Sequence, residues 1–312
     1  MNDTEITSFI EKTNRRRALK KLGMGALAAA AFKLSLVDQL GIASDQVTLP
    51  KIPSPGPTVQ ASLDFALNLE YLEANFYSYA TTGQGIESQG VEITGVGKQG
   101  TVNAPASAQV NFSNPNIAAY AEELAADEIA HVNFLRALAT AVGTKPVAQP
   151  SIDLVNSFNT AASAAGLGSS FSPFDSSTGD LNFLLGAFIF EDVGVTAYHG
   201  ALPAITESVI ITGASGIMGT EAYHAGTIRN EIYKLGNAAI SAADAISNAR
   251  NTLGGEGIDQ GLEFAGMSNL VPSDANALVF ARTARLVLNI VYLGINATKG
   301  GFFPDGINTR QG

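Results

Sequence analysis

AAYAEELAADEIAHVNFLRAL, residues 118–138, places a glutamate and a histidine three apart, Glu128 and His131. Apolar residues recur around them at i, i+3, i+4 and i+7, the period of an amphipathic helix. On that helix the two side chains stand one turn apart and point the same way. Leu124, Phe134, Leu135 and Leu138 continue the stripe, so the pair is turned towards a core. A carboxylate there costs several kcal/mol unless it is paired, hydrogen-bonded or bound to metal.

The spacing recurs. GTEAYHAG, residues 219–226, carries Glu221 and His224, so two of only three histidines follow a glutamate by three. LNFLLGAFIFEDVGVTAY, residues 181–198, is apolar except for Asn182, Glu191, Asp192 and Thr196, which predicts a helix buried on nearly every side. No Lys or Arg lies between Asp153 and Tyr223. Glu191 therefore draws its positive charge from elsewhere in the fold, and a metal supplies one. ASLDFALNLEYLEANFYSYA, residues 61–80, adds Glu70 and Glu73, between which pattern alone does not choose.

Counted by helix, the set is Glu, Glu-x-x-His, Glu, Glu-x-x-His. That is the inventory of a dinuclear carboxylate site inside a four-helix bundle. Carboxylate and imidazole donors match two iron or manganese ions, and the absence of cysteine excludes thiolate sites and disulfides.

The motifs NLEYLEANFY, EIAHVNFLRAL, FEDVGVTAYHG and EAYHAG resemble the ferritin-like superfamily, and more narrowly the desiccation-related ferritin-like proteins of bacteria and plants. The tail VLNIVYLGIN…KGGFFPDGIN resembles the narrower group as well. In ferritin-like proteins the first-helix ligand is commonly a Glu with a Tyr seven residues later, which selects Glu70 with Tyr77 and leaves Glu73 beside the ligands. The resemblance implies Glu70, Glu128, His131, Glu191, Glu221 and His224 as the metal ligands. Manganese catalases are relatives in which a fourth-helix Glu acts beside the metals, which implies a catalytic part for Glu221, with Tyr77 as a second candidate.

Other polar residues receive plainer expectations. His199, seven after Asp192 and turned about 80° from Glu191, is expected to make a structural hydrogen bond. Tyr77, Tyr198 and Tyr223 are expected near the ligands, and Glu231 beside them. Glu122, Glu123 and Asp127 read as the solvated face of the second helix.

Composition bounds the rest. NRRRALKKLGMGALAAAAF, residues 14–32, sets basic residues before a short apolar run, as export signals do, and resembles a twin-arginine signal. Residues 1–33 hold seven Lys/Arg and three Asp/Glu, leaving 11 basic and 25 acidic residues, a net charge of −14. That balance disfavours nucleic acid as a partner, and no later run of apolar residues predicts a membrane span in the mature chain. The expected location is the periplasm or cell envelope. The expected partner is a small oxidant, peroxide or dioxygen, and assembly into a homo-oligomer is left open.

The expected architecture is mainly α. A signal segment over 1–43 and a linker over 44–60 precede a ferritin-like four-helix bundle over 61–250 and a C-terminal extension packed on it over 251–312. Helices are expected at about 62–80, 115–142, 181–211 (capped by Asp180, kinked at Pro203), 217–250 and 274–294 (capped by Ser273 or Asp274). The stretches VEITGV and AQVNF within 81–115 predict a β-hairpin insertion. TGASGIMG, 212–219, reads as a turn, and 144–179 as a long crossover with a short helix near 151–164. No internal repeat is apparent. Peroxide consumption, metal storage and a structural role in stressed cells are the three functions compatible with this reading.

Overall fold

Four long helices form where the apolar period runs longest. The computed structural model describes residues 57–310; the signal segment and nearly all of the expected linker lie outside the described residues. Helix α1 spans Pro57–Thr82, and Gly83 follows it with φ +74°. Helix α2 spans Pro115–Ala141, with Asn114 accepting from the Asn116 amide at its start and Pro115 in its first turn. Gly143, at φ +77°, follows its end, as glycine does beyond a helix C-terminus. Helix α4 covers Leu181–Ala201 and α5 covers Ser208–Lys234. The most extensive packing is α1 along α2 and α4 along α5, the two antiparallel pairs of a bundle with a long crossover.

The crossover holds α3, Asn156–Ala164, and strand β2, Ile152–Asp153. Here the expected hairpin gives way to another pairing. Strand β1, Val102–Asn103, runs parallel to β2 with Val102 opposite Ile152, and Val96 bridges Val147 in the same sense. The insertion is therefore stitched to the crossover. Glycines permit the approach: a Cβ on Gly95 would lie 2.3 Å from the Pro146 carbonyl oxygen, and one on Gly100 2.1 Å from the Ser151 nitrogen.

Several helix boundaries differ from expectation. Pro203 ends α4 in a short 3-10 turn, Leu202–Ala204, instead of kinking it, since proline supplies no amide to continue the ladder. TGASGIMG is helical, inside α5. The inward positions Ile210, Ala214 and Ile217 of α5 are buried in phase with Glu221 and His224, and Gly213 makes room for the Phe134 ring. Tertiary packing here outweighs the roughly 1 kcal/mol that each glycine costs a helix. Gly236, at φ +88°, then breaks the expected long fourth helix into α5 and α6, Asn237–Gly254.

Beyond α6 lie an antiparallel strand pair, β3 (Glu263–Phe264) with β4 (Met267–Ser268), and the short helix α7, Ala284–Val291, capped by Thr283. The last helix thus begins ten residues later than expected. Asp274 instead closes a turn by accepting from the Asn276 and Leu278 amides. The chain before α7 lies across α4, where the Arg282 amide donates to the Thr196 carbonyl. A Cβ on Gly200 would sit 1.9 Å from the Arg282 carbonyl oxygen. Asp180 precedes α4 without capping it; its carboxylate accepts from the amides of Ser113 and Asn114 and ties the starts of α2 and α4 together.

The stretch Leu181–Ala204 is long and apolar enough to cross a membrane, yet 89% of its most apolar window is buried in the bundle. Asp192 explains part of what its burial requires. Turned about 100° from Glu191, it pairs with Arg229 at 2.7 Å and Arg250 at 2.8 Å. Arg250 and Arg282 also bind Asp259, at 2.9 and 2.7 Å. This buried network joins α4, α5, α6 and the C-terminal segment.

Candidate metal centre

Each bundle helix delivers its donors from the inward stripe. Glu70, Glu128, Glu191 and Glu221 are at most 1% exposed, His131 8% and His224 4%. The structure brings all six together. They form two overlapping sets whose donor atoms lie within 4.8 Å of one another: Glu70, Glu128, His131 and Glu221, and Glu128, Glu191, Glu221 and His224. Glu128 and Glu221 belong to both sets. They stand where a bridging carboxylate would, while Glu70 with His131 and Glu191 with His224 close the two ends.

His131 Nδ1 lies 3.2 Å from Glu70, 3.3 Å from Glu128 and 3.5 Å from Glu221. His224 Nδ1 lies 3.1 Å from Glu128 and 3.3 Å from Glu191. Its other nitrogen faces Asp127 at 3.3 Å, which fixes the ring with Nδ1 towards the centre. Asp127 is therefore no part of the solvated face: it is 7% exposed, one residue before Glu128 and pointed at α5.

Two tyrosines complete the arrangement. Tyr77 donates its hydroxyl hydrogen to Glu191, and Tyr198 donates to Glu70. Each stands seven residues after a glutamate on its own helix and bonds the glutamate of the other. Glu-x6-Tyr then Glu-x-x-His therefore occurs twice, a short internal repeat that is visible in the sequence once the spacing is known. Tyr223, by contrast, is 81% exposed and points away. His199 bonds the Phe280 carbonyl, a structural contact but not one with Asp192, whose place is taken by arginines. Glu231 pairs with Lys234 at 2.7 Å.

Electrostatics without a bound cation are unfavourable. Burial pushes Glu70 up to about 7 against the pull of His131. Burial also raises Glu191, and raises Glu221 well above the carboxylate range, where Glu128 adds to the effect. Glu73, buried beside them, is raised well above its usual range by burial and then by Glu128. Glu128 alone moves the other way: burial opposes its charge, but His131 and His224 outweigh it. Both imidazoles are held well above their ordinary value, burial being overcome by Glu128 and Glu70 at His131 and by Glu191 and Asp127 at His224.

The residues fit a metal pair on one further observation. Glu128 Oε1, Glu191 Oε2, both Glu221 oxygens and His224 Nδ1 are buried and make no well-aligned hydrogen bond; the ionic contacts at 3.1–3.5 Å given above are what they have in its place. Buried polar atoms are rarely left so, and these five converge on the space between the helices. Gly194 keeps that space open, since a Cβ there would lie 2.2 Å from Glu221 Oε2.

A family model for the ferritin-like domain matches residues 59–234, which hold all six donors. The chain is similar to the desiccation-related protein PCC13-62 of Craterostigma plantagineum, 29% identical over 274 residues that cover 82% of this chain and 83% of that one. It is also similar to the ferritin-like catalase Nec2 of Nesocodon mauritianus, 26% identical over 266 residues covering 80% and 83%. No solved structure matches.

Proposed function

We infer a redox function at a two-metal centre for this chain, which belongs to the ferritin-like domain family. The observation that carries the inference is the pair of donor sets sharing Glu128 and Glu221, whose buried oxygens include three that make no well-aligned hydrogen bond. Glu70, Glu128, Glu191 and Glu221 carry four negative charges when ionised and match two divalent ions, manganese or iron. Such a pair, when bound, supplies a reversible redox couple for peroxide or dioxygen.

The chain's own residues do the rest. Glu128 and Glu221 hold the two positions together, and His131 and His224 each serve one. Asp127 orients His224, as a hydrogen-bonded carboxylate orients a ligand imidazole. Tyr77 and Tyr198 hold a proton against one oxygen of Glu191 and of Glu70, which leaves the opposite oxygen for the metal. Tyr77 and Glu221 are the groups we place in the reaction itself, Tyr77 moving a proton at Glu191. Burial of the ligands keeps bulk water out.

The relative named as a catalase supports peroxide as oxidant, and the relative named for desiccation supports a protective role under stress. We place the protein outside the cytoplasm through the basic and apolar segment of residues 14–32; fractionation of cells before and after Arg15→Lys/Arg16→Lys tests that location. Gas evolution on adding peroxide to the manganese-loaded protein supports the catalase chemistry, in which two peroxide molecules give two waters and one dioxygen. Oxygen uptake on adding ferrous iron supports dioxygen chemistry instead. Neither reaction, with metal bound, leaves the centre a structural staple, a reading favoured by how completely its ligands are buried.

A further inference from the structure

The two ends of the bundle are built differently. Counting seven residues from the donors towards one end gives Tyr77, Leu124, Leu184 and Ile228, all at most 4% exposed. That end is closed by packed rings, with Phe76, Tyr77 and Phe183 in mutual contact. Seven residues towards the other end stand Leu63, Leu138, Tyr198 and Ala214. Seven residues are close to two helical turns, so these side chains share the donors' inward faces about 10 Å further along the axis. All four line one cavity of about 30 Å³.

The cavity walls are aliphatic and aromatic except for Ser62. Alanines 66, 201 and 214 provide its width. At its inner end is Tyr198, whose hydroxyl is bonded to Glu70. Tyr198 therefore touches both the cavity and the first donor set. Apolar cavities bind apolar molecules or xenon, and this one opens towards the surface. Water and hydrogen peroxide would each give up hydrogen bonds to enter, at a cost of a few kcal/mol, whereas a neutral diatomic gas gives up none.

We propose that this axial cavity is a binding site for dioxygen on its way to or from the metal centre. The proposal rests on the redox reading above for its purpose, but not for its test. Dioxygen reaches the cavity either as a reactant entering from solution or as the product of peroxide breakdown leaving. The chemistry of recognition is the same in both directions: size, and the absence of any required hydrogen bond.

Crystals of the full chain pressurised with xenon test the site without metal or turnover. Xenon is expected against Leu63, Leu138 and Tyr198 in the unaltered protein, and is expected to be lost in Ala214→Leu and, from a different helix, in Ala201→Leu. No xenon there in the unaltered protein, or xenon retained in both variants, overturns the proposal. Metal content measured on the same samples reports separately on the metal reading. In metal-loaded protein the variants are expected to slow either dioxygen uptake with ferrous iron or dioxygen release from peroxide several-fold. Slowed uptake assigns the cavity to entry and slowed release to exit. Loss of the xenon site with both rates unchanged overturns the route.

Discussion

Tyr198 on the third bundle helix donates a hydrogen bond to Glu70 on the first, and Tyr77 on the first returns one to Glu191 on the third. The two bonds cross the bundle in opposite directions and hold the terminal glutamates of the two donor sets. Because each tyrosine serves a different set, the sites are separable by mutation. Tyr198→Phe is expected to weaken the site formed with His131, and Tyr77→Phe the site formed with His224. Each loss should be about 10- to 100-fold in affinity, the usual effect of removing a group that orients a ligand. A two-site metal competition titration reads both constants.

Asp127 gives a second test. Its contact with His224 sets which imidazole nitrogen faces the donors. Asp127→Ala should lower affinity at that site about tenfold or more. Glu122→Ala, at an exposed position on the same helix, should leave both constants unchanged. Equal effects from the two substitutions would reduce Asp127 to a general charge contribution.

Metal-free protein should be less stable at alkaline pH. Burial raises Glu70 to about 7 and also raises Glu191 and Glu221. A carboxyl raised in this way favours the folded state fully below its unfolded value, and that contribution is lost as pH rises through the folded value. His131 and His224, also raised, act with the same sign at higher pH. The melting temperature of apo-protein should therefore fall by about 5 °C or more between about pH 5 and pH 8. With metal bound the slope should reverse, because metal competes with protons for the same atoms. Calorimetry on both forms checks the sign.

The arginine network should act on stability alone. Arg250 bridges Asp192 and Asp259 and lies over the Phe188 ring. Arg250→Ala removes one partner of two buried carboxylates and should cost about 3–5 kcal/mol in denaturant unfolding. Metal stoichiometry of the folded fraction should not change.

The bundle and five of the six clustered side chains were legible in the sequence from local periodicity, whereas Glu70 was set apart from Glu73 only by the resemblance to ferritin-like proteins. A wholly apolar helix carrying Glu191 and two copies of Glu-x-x-His on inward stripes need no knowledge of distant contacts. What escaped was set by distant partners. The alternating stretches 91–96 and 108–112 form no strand beyond the Val96 bridge; β1 lies between them and pairs with a segment some fifty residues away, which no local alternation reveals. The glycines of 212–219 suggested a turn because the phenylalanine that one of them accommodates is on another helix. Asp127 looked solvated because the histidine it meets is on α5. The arginines that neutralise Asp192 follow it by 37 and 58 residues, beyond the reach of any local pattern. The repeated Glu-x6-Tyr was present throughout, and only the crossed hydrogen bonds give it meaning.

Elemental analysis of the protein purified without added metal, beside Glu128→Ala/Glu221→Ala, tests the central claim most directly. The two donor sets predict two manganese or iron ions per chain, lost when the two shared carboxylates are removed. No metal in the unaltered protein, or the same content in the folded variant, would contradict a two-metal centre at this place.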